Sequence, residues 1–154
     1  MKISDALKGR QRIYIDTAPL IYYVEAHSKY GLRMHDLIKA IEAGPIQTIS
    51  SVITLTEVLT QPIKLGNILL EQEYRNILTG SPHYQLVSVT QTIADTAAQL
   101  RARYSLRTPD ALHVATALDT QCDAFLTNDF TLKRVAEIDM LVLDEIDPNL
   151  RNPL

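Results

Sequence analysis

The sequence predicts an α/β fold in which a five-stranded, mainly parallel sheet carries helices on both faces. Two observations support this prediction. Short apolar runs alternate along the chain with segments whose apolar residues recur at helical spacing. Each run is dense in Ile, Val, Leu or Tyr, which is typical of strands that are buried on both faces. Strands that alternate with helices in this way favour a parallel sheet.

Five apolar runs account for the predicted strands. They are Arg12–Asp16, Ile46–Ser50, Gln85–Val89, Ala124–Thr127 and Leu141–Leu143. The first run places three apolar residues directly before Asp16. Because carboxylates are rarely buried without a partner, an acid in this position requires a physical explanation.

Helices are predicted between the strands, each marked by an apolar stripe or an apolar start. These markers are Ala18–Ile21; Leu37, Ile38 and Ile41; Ile68, Leu69, Ile77 and Leu78; and Ile93, Ala97, Leu100 and Tyr104. The segment Ala43–Pro45 is expected to end the second helix, and Gly80 with Pro82 to end the third. Thr90 is the expected N-cap of the fourth.

The 154 residues fit a single domain, which we expect to span residues 1–154 with a core of about 12–146 and polar, peripheral ends. With 15 basic and 18 acidic residues the net charge is −3, so any phosphate binding must come from a local basic patch or from metal ions. Cys122 is the only cysteine, which excludes an intramolecular disulfide and suits a reducing cytosol. No leader and no membrane-spanning run is recognised, so we expect a cytoplasmic protein with no membrane partner.

Three acids are predicted to lie at the carboxyl ends of strands or at the helix start beside them. Asp16 ends the first strand, and Asp129 follows the fourth. Asp110 falls in the first turn of a helix that Thr108 is expected to cap and Pro109 to begin. Open parallel sheets bind ligands at this edge, so the positions favour a common site.

Glu57 is the fourth acid of this group. It lies one to two turns into a helix that Ser50 or Ser51 can cap and that Pro62 is expected to break. Taken alone, Asp129 could be a turn residue, Asp110 a helix-dipole residue and Glu57 a solvated helix residue. Asp16 has no ordinary interpretation of this kind. The joint pattern of four acids on four segments favours a functional site.

Four carboxylates held together would repel one another, and some would take up protons unless a counter-charge lay among them. A divalent cation supplies that charge, and carboxylate oxygens suit Mg²⁺ and Mn²⁺. Two such ions roughly 4 Å apart would hold the attacking water and the leaving oxygen of a phosphodiester. The pattern therefore predicts metal-dependent phosphodiester hydrolysis.

Four segments resemble the motifs of PIN-domain ribonucleases, most closely toxins of the VapC type. They read YIDTAPLIYYVE, ISSVITLTEVL, TPDALHVATAL and DAFLTNDFTLKRV, in the family's order over nearly the whole chain. The resemblance implies a three-layer PIN fold, Mg²⁺- or Mn²⁺-dependent RNA cleavage, a homodimer and, for toxins, an antitoxin that inserts a segment near the acidic cleft. Ala18 stands where many members have Asn or Ser, so one polar contact is expected to be missing.

We expect Asp16 and Asp110 to be the central metal ligands, with Glu57 and Asp129 completing the shell directly or through water. Thr127 is expected either to hold a metal-bound water or to bond the backbone at the strand end. Hydrolysis by a metal-bound water needs no separate general base and leaves 5′-phosphate and 3′-hydroxyl ends.

Five further residues lie near these acids in the sequence. Asn128 is expected to set the turn. His113 could join Asp110 on a metal, since the two stand at i and i+3, but its apolar neighbours favour a packed histidine that supports a ligand. Arg101, Arg103 and Arg107 could receive RNA phosphates or could satisfy carbonyls at a helix end.

Two other α/β functions require residues that this sequence lacks. A phosphoacceptor receiver domain would need an acid after the third strand and a lysine near the fifth, and a haloacid dehalogenase phosphatase would need Asp-x-Asp; both patterns are missing. Gly-rich nucleotide loops are also missing. A non-catalytic PIN-like RNA- or protein-binding module and a stand-alone RNA-processing nuclease remain open. A dimer is expected to form through the helices of Tyr22–Tyr23 and Leu37–Ile41.

Overall fold

A computed structural model describes residues 1–149, which contain a five-stranded sheet whose neighbouring strands all run parallel. The strands are β1 (Arg12–Ile15), β2 (Gln47–Ser51), β3 (Tyr84–Val87), β4 (Ala124–Thr127) and β5 (Asp139–Val142). Their order across the sheet is β3-β2-β1-β4-β5, so β1 is central. The predicted α/β class with five parallel strands is confirmed.

The described residues form seven α-helices. They are α1 (Ile3–Leu7), α2 (Thr17–Val24), α3 (Gly31–Glu42), α4 (Ile53–Leu65), α5 (Ile68–Gly80), α6 (Gln91–Tyr104) and α7 (Thr108–Asp119). Short 3₁₀ helices cover Phe130–Arg134 and Leu143–Glu145. Thr90 caps α6 as predicted, because its hydroxyl accepts the Ile93 N–H at 3.2 Å.

The two faces of the sheet bury separate apolar clusters. In β1, Ile13 and Ile15 face the helices α1 to α5, whereas Tyr14 faces α6 and α7. In β4, Leu126 lies on the first face and Phe125 on the second. This alternation follows from the period of two along a strand, and it confirms the prediction that helices cover both faces.

Two predicted helix boundaries are wrong. Thr108 is the first residue of α7 rather than its cap, and Arg107 takes the cap position with extended backbone. Pro62 lies inside α4, which continues to Leu65 and ends at Gly66, whose φ of 66° is left-handed. Pro62 is itself buried in the helix face that packs on the sheet, so packing offsets the one backbone hydrogen bond that proline cannot donate.

The cap predicted for α4 is also displaced. Val52 occupies the cap position and makes no side-chain cap bond, while Ser51 lies in β2 and its hydroxyl accepts the Ile53 N–H at 3.2 Å. Ser50 instead donates its hydroxyl proton to the Ile15 carbonyl at 2.7 Å, so it connects two strands. Glu57 nevertheless lies in the second turn of α4, as predicted.

Four apolar side chains at the connection between α4 and α5 are exposed: Ile63, Leu65, Ile68 and Leu69. We call this surface the elbow patch. The prediction that Ile68 and Leu69 line the buried face of their helix is wrong, since they are 74% and 83% exposed; Tyr74 and Leu78 fill that face.

Leu37 and Ile41 are each 1% exposed and pack inside the chain, so these two side chains are not available to the dimer contact that was expected at their helix. The N-terminal segment, expected to be peripheral, also contributes to the core through Ile3 and Ala6. Two small apolar residues three apart on a one-turn helix are too weak a signal to predict this contact. Residues 150–154 of the expected polar end lie outside the described residues. Within residues 1–149, no helix has both the length and the apolar character needed to cross a membrane.

Candidate active site

Asp16 stands where the central strand becomes α2. Its N–H donates to the Leu126 carbonyl at 2.9 Å, which continues the pairing of β1 with β4 beyond the strand end. Its Oδ1 accepts the Thr17 N–H at 2.9 Å and thereby caps α2, and its Oδ2 accepts the Thr127 hydroxyl at 2.8 Å. Both carboxylate oxygens are therefore held at the carboxyl end of the sheet.

Thr127 links the acid of β1 with the acid that follows β4. Its hydroxyl is buried, donates to Asp16 and accepts the Asp129 N–H at 3.1 Å. Asp129 Oδ1 in turn accepts the N–H and the hydroxyl of Thr131 at 2.9 and 2.7 Å. The expected strand-end bond of Thr127 to backbone is present, and a second bond to Asp16 joins it.

Glu57 reaches the same end of the sheet from α4. The Thr17 hydroxyl donates to Glu57 Oε1 at 3.1 Å, and His113 Nε2 lies 2.5 Å from the same oxygen. Because Thr17 directly follows Asp16, these contacts bring two of the predicted acids together. The role of Thr17 was not predicted, although its place in the Asp-Thr pair of the first motif was a signal.

His113 is 1% exposed and lies between two elements. Its Nε2 contacts Glu57, and its Nδ1 lies 2.6 Å from the Tyr14 hydroxyl. The structure therefore places His113 beside Glu57 rather than beside Asp110, as a packed histidine that supports a possible ligand. Tyr14 is a second residue that sequence reasoning missed, because an aromatic residue inside an apolar strand is indistinguishable from ordinary core.

Asp110 lies in the first turn of α7 and pairs with Arg107. The Arg107 Nε donates to Asp110 Oδ2 at 3.0 Å, and the Nη2 lies 3.5 Å from Oδ1. Asp110 raises the pKa of Arg107 above its usual range, and the charges of Asp129 and Glu57 add to that rise. The exposed guanidinium is therefore within electrostatic reach of three of the four acids.

The acids differ in their electrostatic surroundings. Burial raises the pKa of Asp16 above its usual value; nearby His113 and the hydrogen bonds from Thr127 and Thr17 oppose this only in part, and the nearby charge of Asp110 adds to it. Burial also acts to raise the pKa of Glu57, but the hydrogen bonds from His113 and Thr17 outweigh it and hold that pKa below its usual value. The charged form of Asp16 is thus the form that a nearby cation would stabilise.

The four acids Asp16, Glu57, Asp110 and Asp129 form what we call the acid rim. Within residues 1–149, no three His, Cys, Asp or Glu side chains converge closely enough to hold one metal ion. The carboxylate of Asp110 faces Arg107, and that of Asp129 faces Thr131. The oxygen donors of these acids fit a hard divalent cation, although Asp110 is already paired with Arg107.

The other predicted residues have separate partners. Asn128 Oδ1 accepts the Asp144 N–H at 3.0 Å and so joins the segments that follow β4 and β5. Arg101 Nε donates to the Leu106 carbonyl at 3.1 Å, and Arg103 pairs with Glu137. Of the three arginines, Arg107 alone contacts the acid rim.

Solved structures of similar fold are toxin–antitoxin proteins. A chain of a toxin–antitoxin complex from Klebsiella pneumoniae is 25% identical, with a TM-score of 0.65 over 85% of this chain and 97% of that chain. DNA-bound VapBC from Salmonella typhimurium gives 14% identity and a TM-score of 0.70 over 86% and 98% of the two chains. The Sarcin-Ricin loop cleaving toxin VapC20 of Mycobacterium tuberculosis gives 17% identity and a TM-score of 0.62 over 82% and 98%.

The sequence itself was compared with curated proteins and with family models. No curated protein matches it. The model of the PIN domain matches residues 13–138, which include all four residues of the acid rim. These findings confirm the resemblance seen in the four motifs, and they show that the chain belongs to the PIN-domain family.

Proposed function

We propose that this chain is an endoribonuclease that hydrolyses RNA phosphodiesters at the acid rim with Mg²⁺ or Mn²⁺, and that it is the toxin of a toxin–antitoxin pair. The observation that supports this most directly is the hydrogen-bonded linkage of three acids. Thr127 joins Asp16 to Asp129, and Thr17 adjoins both Asp16 and Glu57. Parallel α/β sheets bind their ligands at this end.

In this proposal Asp16 and Asp110 are the central ligands, and Glu57 and Asp129 complete the shell directly or through water. A divalent ion held by these residues would supply a bound water of lowered pKa, and hydrolysis by such a water would leave 5′-phosphate and 3′-hydroxyl ends. The protein keeps Asp16 in one orientation by bonding both its oxygens. Asn128 keeps the rim in shape by joining the two strand ends.

Arg107 has a different role before and after an ion arrives. In the described chain its guanidinium is the counter-charge of Asp110. An ion that took over this task would release the guanidinium, which is well shaped to bind an RNA phosphate. Arg101 and Arg103 have other intramolecular partners, so we expect them to contribute less to RNA binding.

The proposed partners are RNA, an antitoxin and a second copy of the chain. The antitoxin is supported by similar structures from Klebsiella pneumoniae and Salmonella typhimurium, which are named as a toxin–antitoxin complex and as VapBC. A homodimer would have to use a surface other than the buried Leu37–Ile41 stripe, and the exposed elbow patch is apolar. We further propose that residues 1–154 act as one cytoplasmic domain.

One observation favours a second candidate, a non-catalytic PIN-like module that binds RNA or protein. No three ligands converge within residues 1–149, and Asp110 already has a cationic partner in Arg107. A stand-alone RNA-processing nuclease would share the acid rim with a toxin. Metal-dependent cleavage separates the non-catalytic module from both nucleases, and antitoxin inhibition separates the two nucleases.

The test is cleavage of end-labelled single-stranded RNA with Mn²⁺ or Mg²⁺ by wild type, Asp16→Asn and Asp110→Asn, purified identically. Asp123→Asn is the matched control, because it removes the same charge from the opposite end of the sheet, where Asp123 accepts the N–H groups of Gln11 and Arg12. We expect wild type and Asp123→Asn to cut, EDTA to stop both, and the two rim variants to be silent.

Two other outcomes contradict the proposal, and a third keeps the site but requires a different RNA substrate. Rim variants that cut as well as wild type would show that the activity comes from a contaminant or another site. If all four proteins are silent and calorimetry detects no Mn²⁺ binding to wild type, the non-catalytic module is the better explanation. If all four proteins are silent, but wild type binds Mn²⁺ and Asp16→Asn does not, the RNA substrate is wrong and the proposed metal site stands.

A further inference from the structure

We infer that Tyr14 is a positioning residue, whose hydroxyl fixes the tautomer of His113 so that His113 always donates a proton towards Glu57. This inference rests on the proposed function and deepens it, since it explains how one carboxylate of the acid rim is kept charged and in place. Tyr14 lies inside the core and contacts neither ion nor RNA in this account.

The Tyr14 hydroxyl has a single proton to donate. The backbone N–H of Ser51 points to this oxygen at 2.9 Å, and an amide can only donate. The hydroxyl therefore accepts from Ser51 and has its own single proton left to give. Its remaining polar neighbour is His113 Nδ1 at 2.6 Å, so the proton goes there.

The tautomer of His113 follows from this donation. A ring nitrogen that accepts a hydrogen bond carries no proton, and a neutral imidazole then carries its proton on the other nitrogen. That nitrogen, Nε2, lies 2.5 Å from Glu57 Oε1 and 3.4 Å from the Thr17 hydroxyl. With the opposite tautomer, the Nε2 lone pair would face a carboxylate oxygen and repel it.

The packing around Tyr14 makes the arrangement rigid. The Tyr14 ring is fully buried and stacks on Phe125, with ring centroids 4.8 Å apart and planes 9° apart. The ring also meets His113 edge-on at a centroid distance of 5.8 Å. The hydroxyl therefore has little freedom to turn away. Tyr14 of β1 thus fixes His113 of α7, and His113 in turn fixes Glu57 of α4.

The consequence for Glu57 concerns its two oxygens. All of its hydrogen bonds within residues 1–149 are made by Oε1, which accepts from His113 and from Thr17. Two donors on one oxygen hold the carboxylate in a single orientation and leave Oε2 without a protein partner. Supports of this kind typically affect metal affinity by about 10- to 100-fold when they are removed.

The experiment compares Tyr14→Phe with Tyr84→Phe. Both changes remove one tyrosine hydroxyl from the sheet, and Tyr14→Phe keeps the ring that stacks on Phe125. The Tyr84 hydroxyl lies 3.0 Å from Ser50 Oγ and has no bond to His113, so it is the matched control. The readouts are the His113 tautomer by ¹⁵N NMR in metal-free protein and Mn²⁺ affinity by calorimetry.

We expect His113 to carry its proton on Nε2 in wild type and in Tyr84→Phe, and to lose this preference in Tyr14→Phe. The Mn²⁺ affinity should fall about 10-fold or more in Tyr14→Phe and stay within about 2-fold in the control. His113→Gln, whose amide can still donate to Glu57, should retain more Mn²⁺ affinity than His113→Leu.

Three results would overturn the inference. The first is a wild-type His113 that carries its proton on Nδ1, and the second is a folded Tyr14→Phe protein whose Mn²⁺ affinity equals that of Tyr84→Phe. The third is a wild type that binds no Mn²⁺, which overturns the proposed function together with the role of Tyr14 in it. The first two leave the proposed function intact, because RNA cleavage by wild type is measured separately.

Discussion

Aspartates at the two ends of the sheet have pKa values that are shifted in opposite directions. Asp123, at the amino end of β4, accepts the N–H groups of Gln11 and Arg12 at 2.6 and 2.9 Å. These two bonds hold the pKa of Asp123 below its usual value. Asp16, at the carboxyl end of β1, also bonds two donors, yet burial holds its pKa above the usual value.

The difference lies in the charges around each acid. At the amino end, Arg10 donates to the Asp123 carbonyl at 3.1 Å and pairs with Asp139 at 2.6 Å, so acids and bases alternate. At the carboxyl end, the four acids contact a single arginine, Arg107, and one histidine, His113. The amino end of the sheet thus carries acids paired with bases, whereas the carboxyl end carries more acids than bases in contact with them.

The largest expected effect is on RNA cleavage. Asp16→Asn should lower the rate more than about 100-fold, because it removes a proposed ion ligand directly, whereas loss of an indirect support costs 10- to 100-fold. Asp123→Asn should leave the rate within about 2-fold of wild type. A single-turnover assay on labelled RNA measures the cleavage rates of both variants. Equal losses would show that the two ends of the sheet do not differ in their importance for cleavage.

The next effect is on thermal stability in the presence of metal. Mn²⁺ at about 100 times its dissociation constant should stabilise the folded state by about 2.7 kcal/mol, which corresponds to a rise in Tm of about 5–10 °C. EDTA should reverse the rise. Calorimetric melting of Asp123→Asn should show the same rise and Asp16→Asn none; a rise in Asp16→Asn would place the ion elsewhere.

A smaller effect is expected on the metal-free protein, with opposite signs at the two ends. Asp16→Asn should raise the Tm by about 2–4 °C, since it removes a charge that burial disfavours, and Asp123→Asn should lower it by a similar amount. Melting both variants in EDTA near neutral pH tests this. A fall in Tm for Asp16→Asn would mean that its hydrogen bonds outweigh its buried charge.

The same pair of acids predicts the sign of the pH dependence. In the folded protein the pKa of Asp16 is raised, so ionisation of this carboxyl group lowers the stability of the fold. Its contribution to stability is therefore fully present below the unfolded pKa of about 4 and is lost as the pH rises through the folded pKa. The folded pKa of Asp123 is lowered, so its contribution is present above about 4 and is lost as the pH falls through the folded pKa. Acid titration of the Tm in each variant should remove one of these two slopes.

The smallest effect is expected from Arg107→Gln, which removes the counter-charge of the acid rim. The Arg107–Asp110 pair is 79% exposed on the arginine side, so its loss should raise Mn²⁺ affinity by no more than about 5-fold. RNA affinity should fall by a similar factor if the guanidinium binds a phosphate. Calorimetry measures the Mn²⁺ affinity, and anisotropy in EDTA measures the RNA affinity. A fall in Mn²⁺ affinity would contradict the proposal that a bound ion replaces Arg107 as the counter-charge of Asp110.

The fold and the four acids could be predicted because both depend on patterns that are local in the sequence. Apolar runs mark strands, and parallel strands necessarily bring their carboxyl ends to one edge, which places Asp16 and Asp129 near each other. The pairing of Asp110 with Arg107 depends on rotamers, and the contact of Tyr14 with His113 joins residues that are 99 positions apart. Neither leaves a periodic signal. The interior position of Pro62 likewise depends on tertiary packing that overrides local preference.

The bond from Asp16 Oδ1 to the Thr17 N–H has one more consequence, because the same carboxylate also begins α2. Any change in its charge or position reaches the first turn of that helix without an intermediate residue. Helix ends open more readily than helix centres, and amide hydrogen exchange records such opening. The exchange rate of the Thr17 amide would therefore report an ion bound at Asp16, without substrate and without turnover.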